Sequence, residues 1–264
     1  MKARKQKSDS PDPGVDADDL QRKGLRLFLD ILSVNFLKLI ALNLLFITCA
    51  APAAALLFLG LAGILRSFVL ALSVAAAFPI GGAVTAGMFC VSKMIYGEPG
   101  FIWFDFKRVF TKNFRQAAVP GMVCTAFIYG QMIFWGTMAN NQTEGISFIW
   151  LIPGVLTLLL FALITPYIFL QIAYVDLKTV QICRNSVLLP FAKFPRSLMG
   201  MVAGNAFWII FLLYLPVSIL ALPLVLLLGF SLSWLLCLMW VWPQLDKQFS
   251  IVETLRARQK RAEN

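Results

Sequence analysis

The chain has no histidine and few charged residues. Of its 264 residues, only 14% are Asp, Glu, Lys or Arg, whereas soluble domains carry about 25%. Without histidine, acid–base catalysis by imidazole and metal or haem ligation by histidine are excluded. The apolar segments also contain no paired carboxylates, no GxSxG motif and no glycine-rich phosphate loop. We therefore expect no catalytic residues, no cofactor and no bound metal, and we expect that the protein is not an enzyme.

Charge is absent altogether from five long stretches, which cover 39–65, 67–92, 116–143, 145–175 and 197–245. About 20 apolar residues in a helix cross the hydrocarbon core of a bilayer. Four stretches are one span long, and the fifth, with 49 residues, is long enough for two. The mean hydropathy is +0.79. The sequence therefore predicts an all-α, polytopic transmembrane helical bundle of about six spans.

The predicted domain organisation has three parts. Residues 1–18 form a disordered charged tail, 19–250 a single transmembrane domain, and 251–264 a basic tail. We place the spans at 36–64, 68–92, 116–138, 147–174, 198–228 and 231–245. The turn between the last two is placed at Leu228–Ser233, where Gly229 can end one helix and Ser231 or Ser233 can cap the next. Pro216 and Pro223 keep an earlier break open.

Basic residues indicate the topology. With both termini cytoplasmic, the inner segments 1–38, 93–115, 176–196 and 246–264 hold 22 of the 23 Lys and Arg residues, and Arg66 is the exception. Such a positive-inside bias favours an even number of spans. The same residues can contact anionic lipid headgroups, so the net charge of +10 does not point to nucleic acid. We expect a multipass protein of a bacterial plasma (inner) membrane.

The inner segment 97–115 combines aromatic and basic residues. Trp103, Phe106, Phe110 and Phe114 recur every three to four residues, which places them on one helical face. Lys107, Arg108 and Lys112 lie off that face, and Arg115 ends the segment as a further candidate contact residue. This pattern favours an amphipathic interfacial helix on the cytoplasmic side, which contacts lipid headgroups. A docking surface for a protein partner is the alternative, and one helix could serve both.

Two other segments predict interfacial helices. A helix that begins near Asp18 or Asp19 places Leu27, Phe28 and Ile31 on one face and leads into the first span. The inner loop 176–196 mixes apolar residues with Lys178 and Arg184 in the same way. We expect this second inner loop to adjoin the 97–115 segment.

The spans contain only mild polar residues in their cores. Among them, Asn43, Gln131, Gln171 and Asn205 carry carboxamides. Such residues mostly form hydrogen bonds between helices, but Asn43, Gln131 and Asn205 could also coordinate a neutral solute. Pro79-Ile-Gly-Gly82 and Pro153-Gly154 can break helices at a substrate site; we favour close helix packing, because Gly81, Gly82, Thr85, Ala86 and Gly87 form a small-residue face.

Several short sequence segments are similar to those of a known protein family. They read Asn43-Leu-Leu-Phe46, Pro79-Ile-Gly-Gly-Ala-Val-Thr-Ala-Gly-Met88, Val91-Ser-Lys-Met-Ile-Tyr-Gly97, Phe110-Thr-Lys-Asn-Phe-Arg-Gln-Ala117 and Tyr174-Val-Asp-Leu177. Together they resemble the YesL-like family of uncharacterised bacterial multipass membrane proteins, over about 35–245. The chain departs from that family by about 25 additional residues near 52–77. The resemblance implies no catalytic residues and an accessory role in carbohydrate uptake.

Two functions follow as hypotheses. The first is a non-enzymatic accessory or interaction component, linked to carbohydrate uptake, which contacts a membrane or cytoplasmic protein partner of a sugar uptake system. The alternative is a transporter of a small neutral, sugar-like solute. The first would use the loops, whereas the second needs polar groups that meet inside the bundle.

Overall fold

The computed structural model describes residues 24–63, 66–97, 100–140, 148–175, 177–213 and 215–252. These residues form helices and no strand, which confirms the all-α prediction. The helices are α1 (Leu25–Leu61), α2 (Arg66–Ala76), α3 (Phe78–Ile95), α4 (Ile102–Asn140), α5 (Phe148–Tyr174), α6 (Thr179–Ala192), α7 (Phe194–Leu213) and α8 (Leu215–Phe249). The predicted tail 1–18 and the start near Asp18 or Asp19 lie outside the described residues.

Five helical stretches of the described chain are long and apolar enough to cross a membrane. They are Leu25–Leu61, Ser67–Ile95, Ile102–Met138, Leu151–Tyr174 and Pro223–Phe249. Large apolar side chains point outward from them; Leu37, for example, is 78% exposed. Outward-facing apolar residues suit a lipid environment. The chain is therefore a multipass membrane protein.

Helix α1 contains a kink at Asn35, whose φ and ψ of −110° and 19° are not helical. The kink falls where the first span was predicted to begin. The preceding turns still pack on the bundle, because Ile31 is buried. They therefore contact protein on one side rather than only lipid headgroups.

Helices α2 and α3 form one apolar stretch that is interrupted at Ala77. Pro79 stands in the first turn of α3, a position that proline tolerates because its missing N–H would have no partner there. The predicted break at Pro79 is thus confirmed. From Gly81 to Met94, α3 is almost wholly buried, and it forms the centre of the bundle.

Helix α4 corrects the prediction of a separate interfacial helix. It runs unbroken from Ile102 to Asn140, which is about 58 Å at 1.5 Å per residue. Phe106 is buried, and Phe110 and Phe114 are half-buried on the side that faces α3. Because Ala117 and Gly121 continue the same spacing along α4, the aromatic stripe extends directly into the span.

The predicted turn at Leu228–Ser233 is also wrong. Helix α8 continues through these residues, since it runs from Leu215 to Phe249. Helix α7 runs antiparallel to α8, since Gly200 faces Val241 and Gly204 faces Cys237. Helices α7 and α8 therefore form an antiparallel hairpin, whereas the count of six spans stays a prediction.

The C-terminal boundary lies slightly later than predicted. Ile251 is buried in the core, and the backbone N–H of Val252 donates to the Asp246 carboxylate at 2.9 Å. These two residues therefore belong to the bundle and not to the predicted tail 251–264, whose remaining residues lie outside the described chain.

Polar contacts gather the helix ends on one side of the bundle. Lys93 and Asp105 form an ion pair at 2.8 Å between α3 and α4. Gln116 donates to the carbonyl of Leu177 at 2.7 Å, which ties α4 to the α5–α6 linker. We call this side, where α3 ends, α4 begins and α6 lies, the basic end.

Glycines allow α3 and α4 to cross in direct backbone contact. A Cβ at Gly81 would overlap the carbonyl oxygen of Ala117, and one at Gly121 would lie 2.6 Å from the Gly81 Cα. Gly87 similarly lies beneath the Trp234 ring. The small-residue face therefore serves close packing, as predicted.

Substitution of Gly81 by Ala should destabilise the protein by about 1–3 kcal/mol, because the added methyl must push two backbones apart. The measurement is thermal unfolding in mild detergent. Gly130→Ala is the matched control: nothing lies within 4 Å of its Cβ position, so its stability should be equal or slightly higher. Equal unfolding temperatures for the two variants would refute the tight crossing.

Candidate functional site: a cavity between two helical hairpins

Asn43 joins the first helix to the last. Its amide nitrogen donates to the carbonyls of Leu226 at 2.6 Å and Val225 at 3.4 Å. Its oxygen accepts the backbone N–H groups of Phe230 at 2.8 Å and Ser231 at 3.1 Å. Leu226 and Phe230 are i, i+4 partners in a regular helix, so the amide is inserted into the backbone ladder of α8.

This arrangement fixes the role of Asn43. The residue is fully buried. Its amide nitrogen bonds backbone carbonyls, which can only accept, and its oxygen bonds backbone N–H groups, which can only donate. It is therefore a structural contact between helices, and it is not available to coordinate a solute.

Gln171 is also fully buried. Its nitrogen donates to the hydroxyl of Ser186 at 2.9 Å, which joins α5 to α6. Its oxygen has no hydrogen-bond partner. This residue lies towards the basic end, below the level of the other predicted polar contacts.

Gln131 and Asn205, by contrast, line one cavity of about 630 Å³. The cavity lies between the α4–α5 hairpin and the α7–α8 hairpin, and one residue of α3, Met88, also reaches it. It opens where Ile128, Met132 and Leu158 are exposed. The structure thus brings together two of the three residues that the sequence proposed for a neutral solute.

The cavity wall is mainly apolar. Six rings contribute to it, those of Phe127, Trp135, Phe161, Trp208, Phe230 and Trp234. No charged side chain lines it. Ligand sites of this kind combine apolar walls with a few placed polar groups.

The polar groups of the cavity are carboxamides and hydroxyls. Gln131 donates to Thr157 at 3.0 Å and accepts from the Trp135 indole at 3.0 Å. Asn205 donates to the carbonyl of Met201 at 2.8 Å. The buried hydroxyl of Ser233 has no partner. The sequence did not single out Ser233 as a lining residue, because serine in an apolar helix ordinarily bonds its own backbone.

The predicted contact residues of α4 separate into two groups. Phe106, Phe110 and Phe114 contact one another in series, with ring centroids 5.9 and 5.2 Å apart, and they pack against the bundle. Trp103, in contrast, is 63% exposed and does not join this stack. The aromatic face is therefore mostly internal.

The basic residues of α4 remain on the surface. Lys107, Arg108, Lys112 and Arg115 are all exposed. Arg108 also pairs with Asp105 at 3.1 Å, and Asp105 holds Lys93 as well. The outer side of the α4 start therefore presents cations beside the exposed Trp103.

Helix α6 lies in the segment where the second interfacial helix was predicted. Ile182 and Ser186 are buried against the bundle, whereas apolar Val180, Leu188 and Phe191 are exposed. Within the described residues, no group of three or more His, Cys, Asp or Glu residues could hold a metal ion. The five cysteines are free thiols.

No protein-family model matches the chain, and neither the curated proteins nor the solved structures compared with it gave a match. The resemblance to the YesL-like family therefore stays a prediction. The argument for function rests on the geometry of the bundle itself.

Asn43→Asp should lower stability more than Asn43→Ala, although Asp is closer in shape. The carboxylate keeps the acceptor but places a second oxygen against the Leu226 carbonyl, and it buries a charge. For Ala we expect a loss of about 1–3 kcal/mol, since backbone groups of α8 lose their partner. Thermal unfolding in detergent measures both. If Asp matches the native residue, the amide does not bridge α8 as described.

Proposed function

We propose that this is a non-enzymatic membrane protein that binds a small neutral solute in the cavity between its two hairpins and carries it across the membrane. The observation that carries the proposal is the meeting of Gln131 and Asn205 in one aromatic-walled cavity inside an apolar bundle.

The absence of charged side chains from the cavity lining selects against ionic solutes. Burial of an unpaired ion in a medium of low polarity is costly, and intramembrane ion sites ordinarily supply a counter-charge. The lining offers none. A neutral solute is therefore the class that this cavity can accept.

The polar groups favour a solute with hydroxyls. A carboxamide donates and accepts at the same time, which suits hydroxyl groups that do both. Indole and phenyl rings offer flat apolar faces to the C–H surfaces of a ring-shaped solute. A volume of about 630 Å³ is within the range of ligand pockets. A sugar or cyclic polyol fits this chemistry.

The setting that supports this function is a bacterial inner membrane with the basic end in the cytoplasm. The concentration of Lys and Arg at that end supports the orientation. Exposed apolar and basic residues on α6, such as Leu188 and Arg184, suit contact with anionic headgroups.

An accessory role is the second candidate, and the start of α4 supports it. Lys107, Lys112 and Arg115 are exposed beside Trp103 and Phe104, which are 63% and 72% exposed. Aromatic residues with cations are typical of interaction surfaces. A cytoplasmic protein of a sugar uptake system with an acidic surface would complement them.

Gln131→Ala and Asn205→Ala should each raise the Kd of a bound sugar or polyol about tenfold, the equivalent of one hydrogen bond. Quenching of the cavity tryptophans and calorimetry with a panel of neutral sugars measure the effect. Gln248→Ala and Asn185→Ala, which lie outside the cavity, should bind as the native protein does. Absence of binding across the panel would reject the proposal.

The accessory role is tested by the triple change of Lys107, Lys112 and Arg115 to Glu. Reversal of the charge should remove a co-purifying partner from mild-detergent extracts while membrane insertion is retained. Lys247→Glu is the control, since it changes an exposed cation on α8. A partner that co-purifies equally with the triple variant would exclude this surface.

A further inference from the structure

A layer of buried polar residues lies between the cavity and the basic end of the bundle. Tyr167, Ser197 and Gln244 come from α5, α7 and α8, and each is at most 5% exposed. The Tyr167 hydroxyl donates to the Gln244 oxygen at 3.0 Å and lies 2.7 Å from the Ser197 hydroxyl. This layer joins the two hairpins, because α5 belongs to one and α7 and α8 to the other.

Helix geometry places the layer relative to the cavity. Gly204 and Cys237 line the cavity and face each other, and Gly200 faces Val241 one turn further on. Ser197 and Gln244 continue this antiparallel register. They therefore lie two turns, about 10 Å, inward of the Gly204–Cys237 level. On α5, Tyr167 directly follows Pro166, which lines the cavity.

The layer has unused hydrogen-bonding capacity. The amide nitrogen of Gln244 has no partner, and neither does the amide oxygen of Gln171, one turn further inward on α5. Unpaired polar groups inside a protein are rare and call for an explanation. Here a donor and an acceptor are left over in the region that separates the cavity from the basic end.

We propose that the Tyr167–Ser197–Gln244 layer is the inner gate of the cavity and that its polar groups form a second subsite for a hydroxyl-bearing solute. This inference rests on the proposed transport function. In the described state the hydrogen bonds between the hairpins close the path inward. When the hairpins separate, the same hydroxyls and amides, together with Gln171, exchange those bonds for bonds to the solute.

The cavity contains its own reporter, Cys237. In a chain whose other four cysteines are replaced by alanine, Cys237 should react slowly with a membrane-impermeant, uncharged methanethiosulfonate that carries a short polyethylene glycol, applied from the basic-end side of oriented vesicles. Tyr167→Phe removes the hydroxyl shared by the layer, and it should raise the labelling rate from that side at least fivefold. Labelling from the opposite side should not change.

Tyr129→Phe is the matched control, since it removes a hydroxyl from α4 away from the layer. If Tyr167→Phe does not fold, Ser197→Ala provides the same test by removal of a different hydroxyl. Unchanged labelling in the folded variant would overturn the gate. The assay needs no solute, so a failure of sugar binding would count against the proposed function and leave the gate measurement intact.

Discussion

The insertion of the Asn43 amide into α8 is the interaction on which the arrangement of the bundle depends. It fixes the first helix against the last at a turn where α8 shares its backbone hydrogen bonds with a side chain. One turn along α1, Phe46 packs on Phe230 and Trp234, with ring centroids 4.4 and 5.2 Å away. Trp234 in turn covers Gly87 of α3. Because Phe230 and Trp234 also form the cavity wall, one buried amide sets the position of the α8 side of the site.

The lining between the two hairpins changes from aromatic to polar along the bundle. Towards the opposite end, the space between the hairpins is bordered by aromatic rings and two carboxamides. Towards the basic end, hydroxyls and amides from α5, α6, α7 and α8 replace the rings. A solute that moved inward would therefore pass from stacking contacts to hydrogen bonds. Hydrogen-bond exchange of this kind needs no ionisable group, which agrees with a chain that has no histidine and keeps its charges outside the five long apolar stretches.

Hydrophobicity and charge were sufficient to predict the helices, because a lipid environment leaves few alternatives to a helix. Local sequence patterns gave wrong predictions where contacts between helices determine whether a helix continues or which side chains are buried. Gly229 and Ser231 have the chemistry of a turn, but the helix continues there, since Asn43 binds the Ser231 N–H and Gly229 packs on Phe207 and Trp208. The spacing of Phe106, Phe110 and Phe114 fits a lipid-facing helix and a core-facing helix equally well. The sequence grouped Gln131 and Asn205 with Asn43 by their chemistry, but it could not show that Asn43 binds α8 instead or which aromatic rings line the cavity.

Helix α4 has a consequence for the reach of the protein beyond the membrane. The helix is about 58 Å long, whereas the hydrocarbon core of a bilayer is about 30 Å thick. Residues 102–115 carry all the charged side chains of the helix, and residues 116–140 carry none. The charged part therefore extends about 20 Å from the hydrocarbon as a direct continuation of the span. Because the helix is continuous, a force on this extension reaches the crossing of α4 with α3 at Gly121 and Gly81.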